Sequence, residues 1–242
     1  MFTRVSQLEP DNLDARLWLA QLYDFNHLPD RALEVFQKVR SQPQKFPLDE
    51  TSEMQLAVVG ANAYFQKKDL SRGTQLLDAE ISRNPTNNAF LATAIQFFMA
   101  NGLLTNALAV IDSRLRDSPD DANWLFSKGY VCLQLKDYDK AIDVLTRVLS
   151  LQTNNDTARF NRAIAYLNSG KLDEARADYE QLDQTFTNSF RIEYGLGEIA
   201  WRQHKTNDAV EYYKLYLANA NTNTAEATNV IQRLRELQGR SP

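Results

Sequence analysis

Six short segments, each ending in alanine or glycine, punctuate the chain at nearly constant intervals. They are HLPDRA ending at Ala32, KDLSRG at Gly73, GLLTNA at Ala107, KDYDKA at Ala141, GKLDEA at Ala175 and HKTNDA at Ala209. The first interval is 41 residues and the next four are 34 each. A small residue at one phase of every unit marks a close helix crossing, where a larger side chain would push the helices apart and leave voids. A fixed period of this length is the mark of a repeat array. No unit can bury its own apolar face, so neighbours must stack.

Each unit reads as two helices. From Asp156, ARFNRAIAYLNS carries Ala158, Ala163, Tyr166 and Leu167 at helical spacing. Gly170 then breaks the run as a left-handed cap. The following DEARADYEQL places Ala175, Tyr179 and Leu182 on one face, at i, i+4 and i+7. Pro85 and Pro119, each twelve residues after the small turn residue, end the second helix of their units.

Composition agrees with a helix-rich folded chain. At 43% hydrophobic and 24% charged, the 242 residues are not disordered along their whole length. Only 8 Gly and 7 Pro are present, few for an all-β fold that turns every ten residues. A net charge of −4 gives no general attraction to nucleic acid or anionic lipid, and no apolar run approaches the roughly 20 residues of a membrane helix.

With the small turn residue placed at position twenty of a 34-residue unit, position eight reads Ala20, Ala61, Ile95, Gly129, Ala163 and Gly197. Position eleven reads Tyr23, Tyr64, Phe98, Cys132, Tyr166 and Ala200, and position twenty-four reads Phe36, Leu77, Ile111, Leu145, Tyr179 and Tyr213. This pattern of small and large residues resembles the tetratricopeptide-repeat (TPR) family over most of the chain. Gly73 at position twenty, Ile95 at position eight, and Lys128 and Arg162 at the usually apolar position seven depart from it. The two basic residues are expected to pack their stems and keep their charges in water. The resemblance implies an all-α solenoid, a right-handed superhelix of helix-turn-helix repeats closed by a C-terminal capping helix.

The expected organisation is a half-repeat over 1–12, a first unit over 13–53 with an insertion at 41–53, and regular units over 54–87, 88–121, 122–155, 156–189 and 190–223. A cap and tail over 224–242 complete it. Pro43 and Pro47 mark the insertion as a loop. In the cap, Asn223 and Glu226 are spaced as a capping box. Val230, Ile231, Leu234 and Leu237 face the last repeat, and Arg233, Arg235 and Glu236 face water. Phe2, Val5, Leu8 and Pro10 match positions twenty-four to thirty-two of a preceding unit. The chain is therefore expected to begin inside a second helix. That helix is either the remnant of a longer repeat array or a natural N-terminal cap, and it could stack on another chain. Localisation stays open between cytoplasm and periplasm.

The resemblance also implies a concave groove lined by first helices. Position five reads Leu17, Val58, Ala92, Phe126, Phe160 and Tyr194, position nine Gln21, Asn62, Gln96, Tyr130, Ile164 and Glu198, and position twelve Asp24, Phe65, Met99, Leu133, Leu167 and Trp201. From Gln55 to Asn168 this lining carries no charge, and from Phe126 onward it turns aromatic. Phe126, Tyr130, Phe160, Asn161, Ile164, Tyr194, Glu198 and Trp201 are the expected contacts for an apolar or aromatic protein segment, whereas Leu133 and Leu167 are assigned to the core. The family's charge clamp for acidic C-terminal peptides is not expected, since only Asn161 and Arg191 match it. Its asparagine ladder is not expected either, since position six reads Trp18, Val59, Thr93, Ser127, Asn161 and Gly195.

Catalytic and cofactor chemistry is not expected. Cys132 falls at a packing position, which favours a buried, inert thiol over a nucleophile. His27 and His204 sit in separate turns, five units apart, and do not make a shared metal site. The pairs Asp120–Asp121 and Asp173–Glu174 fall at helix starts, where carboxylates favour the dipole. No phosphate-binding glycine loop is present. The reading is a non-enzymatic interaction scaffold without cofactor or metal. Its alternatives are a regulatory or targeting arm of a larger enzyme or bacterial export or secretion assembly, and a self-assembling scaffold.

Overall fold

The structure, a computed structural model, describes residues 11–187 and 189–239. Among them it contains thirteen α-helices and no strand. These are α1 (Leu13–Phe25), α2 (Pro29–Arg40), α3 (Glu50–Gln66), α4 (Leu70–Arg83), α5 (Asn88–Ala100), α6 (Leu104–Asp117) and α7 (Ala122–Gln134). They continue as α8 (Tyr138–Leu151), α9 (Asp156–Ser169), α10 (Leu172–Asp183), α11 (Phe190–Arg202), α12 (Thr206–Asn219) and α13 (Ala225–Leu237). The fold is an all-α solenoid of helical pairs. The chain divides into two compact units, 1–110 and 111–242. Residues 1–10 of the expected half-repeat, and the last three of the tail, lie outside the described residues.

The turns within the pairs share one backbone device. His27, Lys68, Gly102, Lys136, Gly170 and His204 all have positive φ, between 55° and 82°. They are separated by 41 residues and then four times by 34. A left-handed residue lets the chain reverse within two or three residues. At the four non-glycine positions it costs on the order of 1 kcal/mol through the Cβ–carbonyl clash. The side chains of Asn12, Asp49, Asn87, Asp121 and Asn155 each accept a backbone N–H at the start of a first helix. Such caps satisfy amides that the helix itself leaves without partners. Asp69 and Asp137 do the same for α4 and α8.

In the first unit, the core joins Ala20, Leu33, Phe36 and Val39 of α1 and α2 to Leu56 and Val59 of α3. The segment expected as a loop over 41–53 is shorter than expected: α3 already begins at Glu50. The loop is also not simply solvated. Phe46 is fully buried in the core, with the Arg16 guanidinium 5.3 Å from its ring centroid.

In the second unit, glycine admits aromatic rings to the helix backbone. A Cβ on Gly195 would stand 2.4 Å from the buried ring of Tyr179, and one on Gly197 would stand 2.7 Å from Tyr213. Arg162 corrects the expectation of a wet charge. Its Nε and a terminal nitrogen donate to Asp178 at 2.8 and 2.7 Å, and Asp178 is buried. Lys128 likewise reaches Asp112 at 2.7 Å. Cys132 is buried, and burial pushes its thiol pKa up.

The last helix departs from the sequence reading in two ways. Thr224, rather than Asn223, caps it by accepting from the Ala227 amide at 3.1 Å, while Glu226 accepts from the Tyr216 hydroxyl at 2.8 Å. Arg233 does not face water as Arg235 and Glu236 do: it turns inward and pairs with Glu198 of α11. Val230 and Leu234 pack on Tyr213 and Tyr216.

Candidate functional site

The first helices of the second unit leave a cleft of about 560 Å³. One wall is α9, with Phe160, Ile164 and Leu167. The facing wall is α11, with Phe190, Tyr194 and Glu198, and Glu226 at the start of α13 also lines the space. Helical spacing places Phe160, Ile164 and Leu167 on one stripe, and Phe190, Tyr194 and Glu198 on another. Second helices fix the rings from behind. Phe160 meets the buried Tyr179 edge-on, with centroids 5.9 Å apart, and Tyr194 leans on Tyr216 at 5.5 Å. Burial raises the pKa of the Tyr194 phenol above its ordinary value, so it is a neutral donor at physiological pH.

A smaller cleft of about 240 Å³ shares Phe160 and Arg191 with the first and extends it to Phe186, whose ring is 46% exposed. The two clefts join at Phe160 and Arg191, so the aromatic surface continues from Phe186 through Phe160 and across to Tyr194 on the neighbouring first helix.

The expected contacts do not all meet here. Phe160, Ile164, Tyr194 and Glu198 come together, and Leu167, assigned to the core, is buried yet also lines the space. Phe126 and Tyr130 stand on α7 outside this cleft, half-buried and exposed respectively, and Leu133 on the same helix is half-buried. Asn161 is buried and does not line the cleft. Glu198 is 4% exposed, accepting from the Tyr213 hydroxyl at 2.7 Å and pairing with Arg233. Trp201 lies beneath the same guanidinium, 4.1 Å from ring centroid to Cζ. The C-terminal helix thus covers the end of the α11 stripe and leaves Phe190 and Tyr194 open.

Phe190, Phe186 and the α13 wall were missed from the sequence. Phe190 stands four residues before Tyr194 on the same face, a signal that was available. Phe186 lies between helices, where periodicity is silent. Among the described residues no group of three His, Cys, Asp or Glu side chains could hold a metal ion, and no helix is long and apolar enough to cross a membrane.

Stacked helical pairs whose first helices present an apolar cleft define a protein–protein interaction scaffold. Two models described as tetratricopeptide repeat match the chain, over residues 98–156 and 133–189. Residues 98–189 thus carry tetratricopeptide repeats, and the same helical-pair fold continues on both sides of them. Proteins of this family are generally non-enzymatic scaffolds, and the fold implies protein partners.

Among curated proteins, the chain is 30% identical over 141 residues to DnaJ homolog subfamily C member 3 of Gallus gallus, covering 57% of this chain and 28% of that one. The Homo sapiens protein of that name is 29% identical over 148 residues, covering 60% and 29%. The aligned region spans less than a third of either relative's length. Among solved structures, a tetratricopeptide repeat protein from Parabacteroides merdae superposes with a TM-score of 0.70 at 15% identity, covering 94% of this chain and 87% of that one. YrrB, described as a TPR protein with an unusual peptide-binding site, gives 0.58 at 16% identity, covering 80% and 97%.

Proposed function

We propose that this protein is a non-enzymatic scaffold that binds an apolar or aromatic segment of a partner protein in the cleft between α9, α11 and α13. The observation that carries this reading is the continuous path over Phe186, Phe160 and Tyr194, in which large rings are held in place yet left accessible. Rigid, partly exposed aromatics are the side chains that dominate binding energy at interfaces. The repeats over 156–189 and 190–223 supply this site, with the cap from 224 forming its end. That YrrB is described as having a peptide-binding site supports the choice of a peptide ligand.

The test is affinity capture of partners by the wild-type chain and by Phe160→Ala and Tyr194→Ala, followed by titration of the captured partner. Each substitution is expected to weaken binding by more than about 1 kcal/mol. Affinity should change little between low and high salt if the rings carry the binding, although Arg191, Arg202, Glu198 and Glu226 also line the cleft. Unchanged affinity in both variants, or a steep salt dependence, would exclude this cleft as the site.

A further inference from the structure

The first unit contains a second cleft, of about 560 Å³, between α1, α3 and α5. Phe25, Met54, Val58 and Phe90 give it apolar walls, and Phe25 is 82% exposed. Asp24 also lines it, and no lysine or arginine does. The Asp24 carboxylate is half-buried and held in place from α3: Asn62 Nδ2 and Gln66 Nε2 donate to its Oδ1 at 2.7 and 3.0 Å. Among the described residues, Oδ2 has no hydrogen-bond partner and no cation forms an ion pair with the group. Burial raises its pKa, and the Asn62 bond and His27 in the following turn oppose that shift.

A fixed carboxylate with one free oxygen, beside open apolar surface and without a lysine or arginine in the cleft, has the makings of a cation subsite. A partner's ammonium or guanidinium would supply the missing charge, while its neighbouring side chain covers Phe25 and Met54. We propose that this cleft binds a protein segment in which a lysine or arginine adjoins a large apolar residue, with Asp24 taking the cation. The site is separate from the cleft of the second unit and does not depend on it.

The experiment uses the full chain against an array of acetylated, amidated hexapeptides. A central Leu, Met or Phe is flanked in turn by Lys, Arg, Gln or Glu. Peptides with Lys or Arg beside the apolar residue should bind at least five-fold more tightly than their Gln counterparts. Asp24→Asn, nearly isosteric and still able to accept from Asn62 and Gln66, should bring that ratio close to one without lowering the melting temperature. Phe25→Ala, a change at an exposed position, should weaken the cationic peptides, whereas Phe160→Ala should leave the Lys preference intact. Equal binding of Lys and Gln peptides, a preference that survives Asp24→Asn, or no retention of any peptide would each overturn the proposal. If Phe160→Ala alone removes the preference, the cation is read in the second unit and the proposal also fails.

Discussion

Arg233 of the C-terminal helix pairs with Glu198 of α11, 35 residues earlier, and its guanidinium covers the Trp201 ring. Glu198 is almost fully buried, whereas the Arg233 side chain is 26% exposed. Removing the cation strands a carboxylate that water can barely reach. Arg233→Ala should therefore destabilise the second unit by about 2 kcal/mol, below the 3–5 lost on breaking a fully buried pair. Arg235→Ala, on the exposed face of the same helix, should stay within about 0.5 kcal/mol. Chemical denaturation of the two variants separates these outcomes.

Lys136 occupies the left-handed turn position that Gly102 and Gly170 occupy in neighbouring turns. Lys136→Gly relieves the Cβ clash and costs some unfolded-state entropy, so it should stabilise by about 0.5–1 kcal/mol. Lys136→Ala keeps the Cβ and should change stability by less than about 0.5 kcal/mol. Thermal unfolding of both variants checks the sign.

Gly195→Ala sets two effects against each other. Alanine is the better helix former by about 1 kcal/mol. Its Cβ, however, would lie 2.4 Å from the Tyr179 ring, which is 2% exposed and has little room to retreat. Overpacking costs about 1–3 kcal/mol and should win. The variant is expected to unfold earlier than wild type, and the Gly195→Ala/Tyr179→Leu pair should recover part of the loss.

Phe46→Ala should destabilise the first unit by about 3 kcal/mol, because it empties a fully buried site. Lys45→Ala, next to it on the surface, tests whether the loop itself matters. Its effect should be under about 0.5 kcal/mol.

Asp24 gives a pH signature. Its raised pKa means that the folded chain holds this proton more tightly than the unfolded chain does. Ionisation therefore weakens the fold above the raised value, and that loss is recovered as pH falls toward the ordinary 3.8. Asp24→Asn should consequently be the more stable protein at neutral pH, with the difference closing in acid. A gap that widens on acidification would contradict the assignment.

The period was legible because two kinds of residue report it from opposite sides of one contact. Gly129 and Gly197 at position eight face Leu145 and Tyr213 at position twenty-four, so the small and large positions are halves of the same crossing. Phe46 was not legible: it lies between helices, flanked by prolines, with no periodic neighbour to assign it a face. Arg233 was misread because a basic residue on an amphipathic helix is normally solvated, and its acid lies on another helix. The proposed Asp24 subsite was within reach, since Asp24 and Asn62 both fall at groove positions. Recognising it required joining residues of adjacent repeats rather than scanning one stripe.

The C-terminal helix gives the second unit's cleft a fixed end. Arg233 rests over Glu198 and Trp201, so in the proposed mode of binding a ligand reaching past Tyr194 on α11 would meet the protein's own side chain one turn further on. Ligand length would then be measured by the cap and not by the number of repeats. The same array with a differently placed final helix would act as a longer ruler.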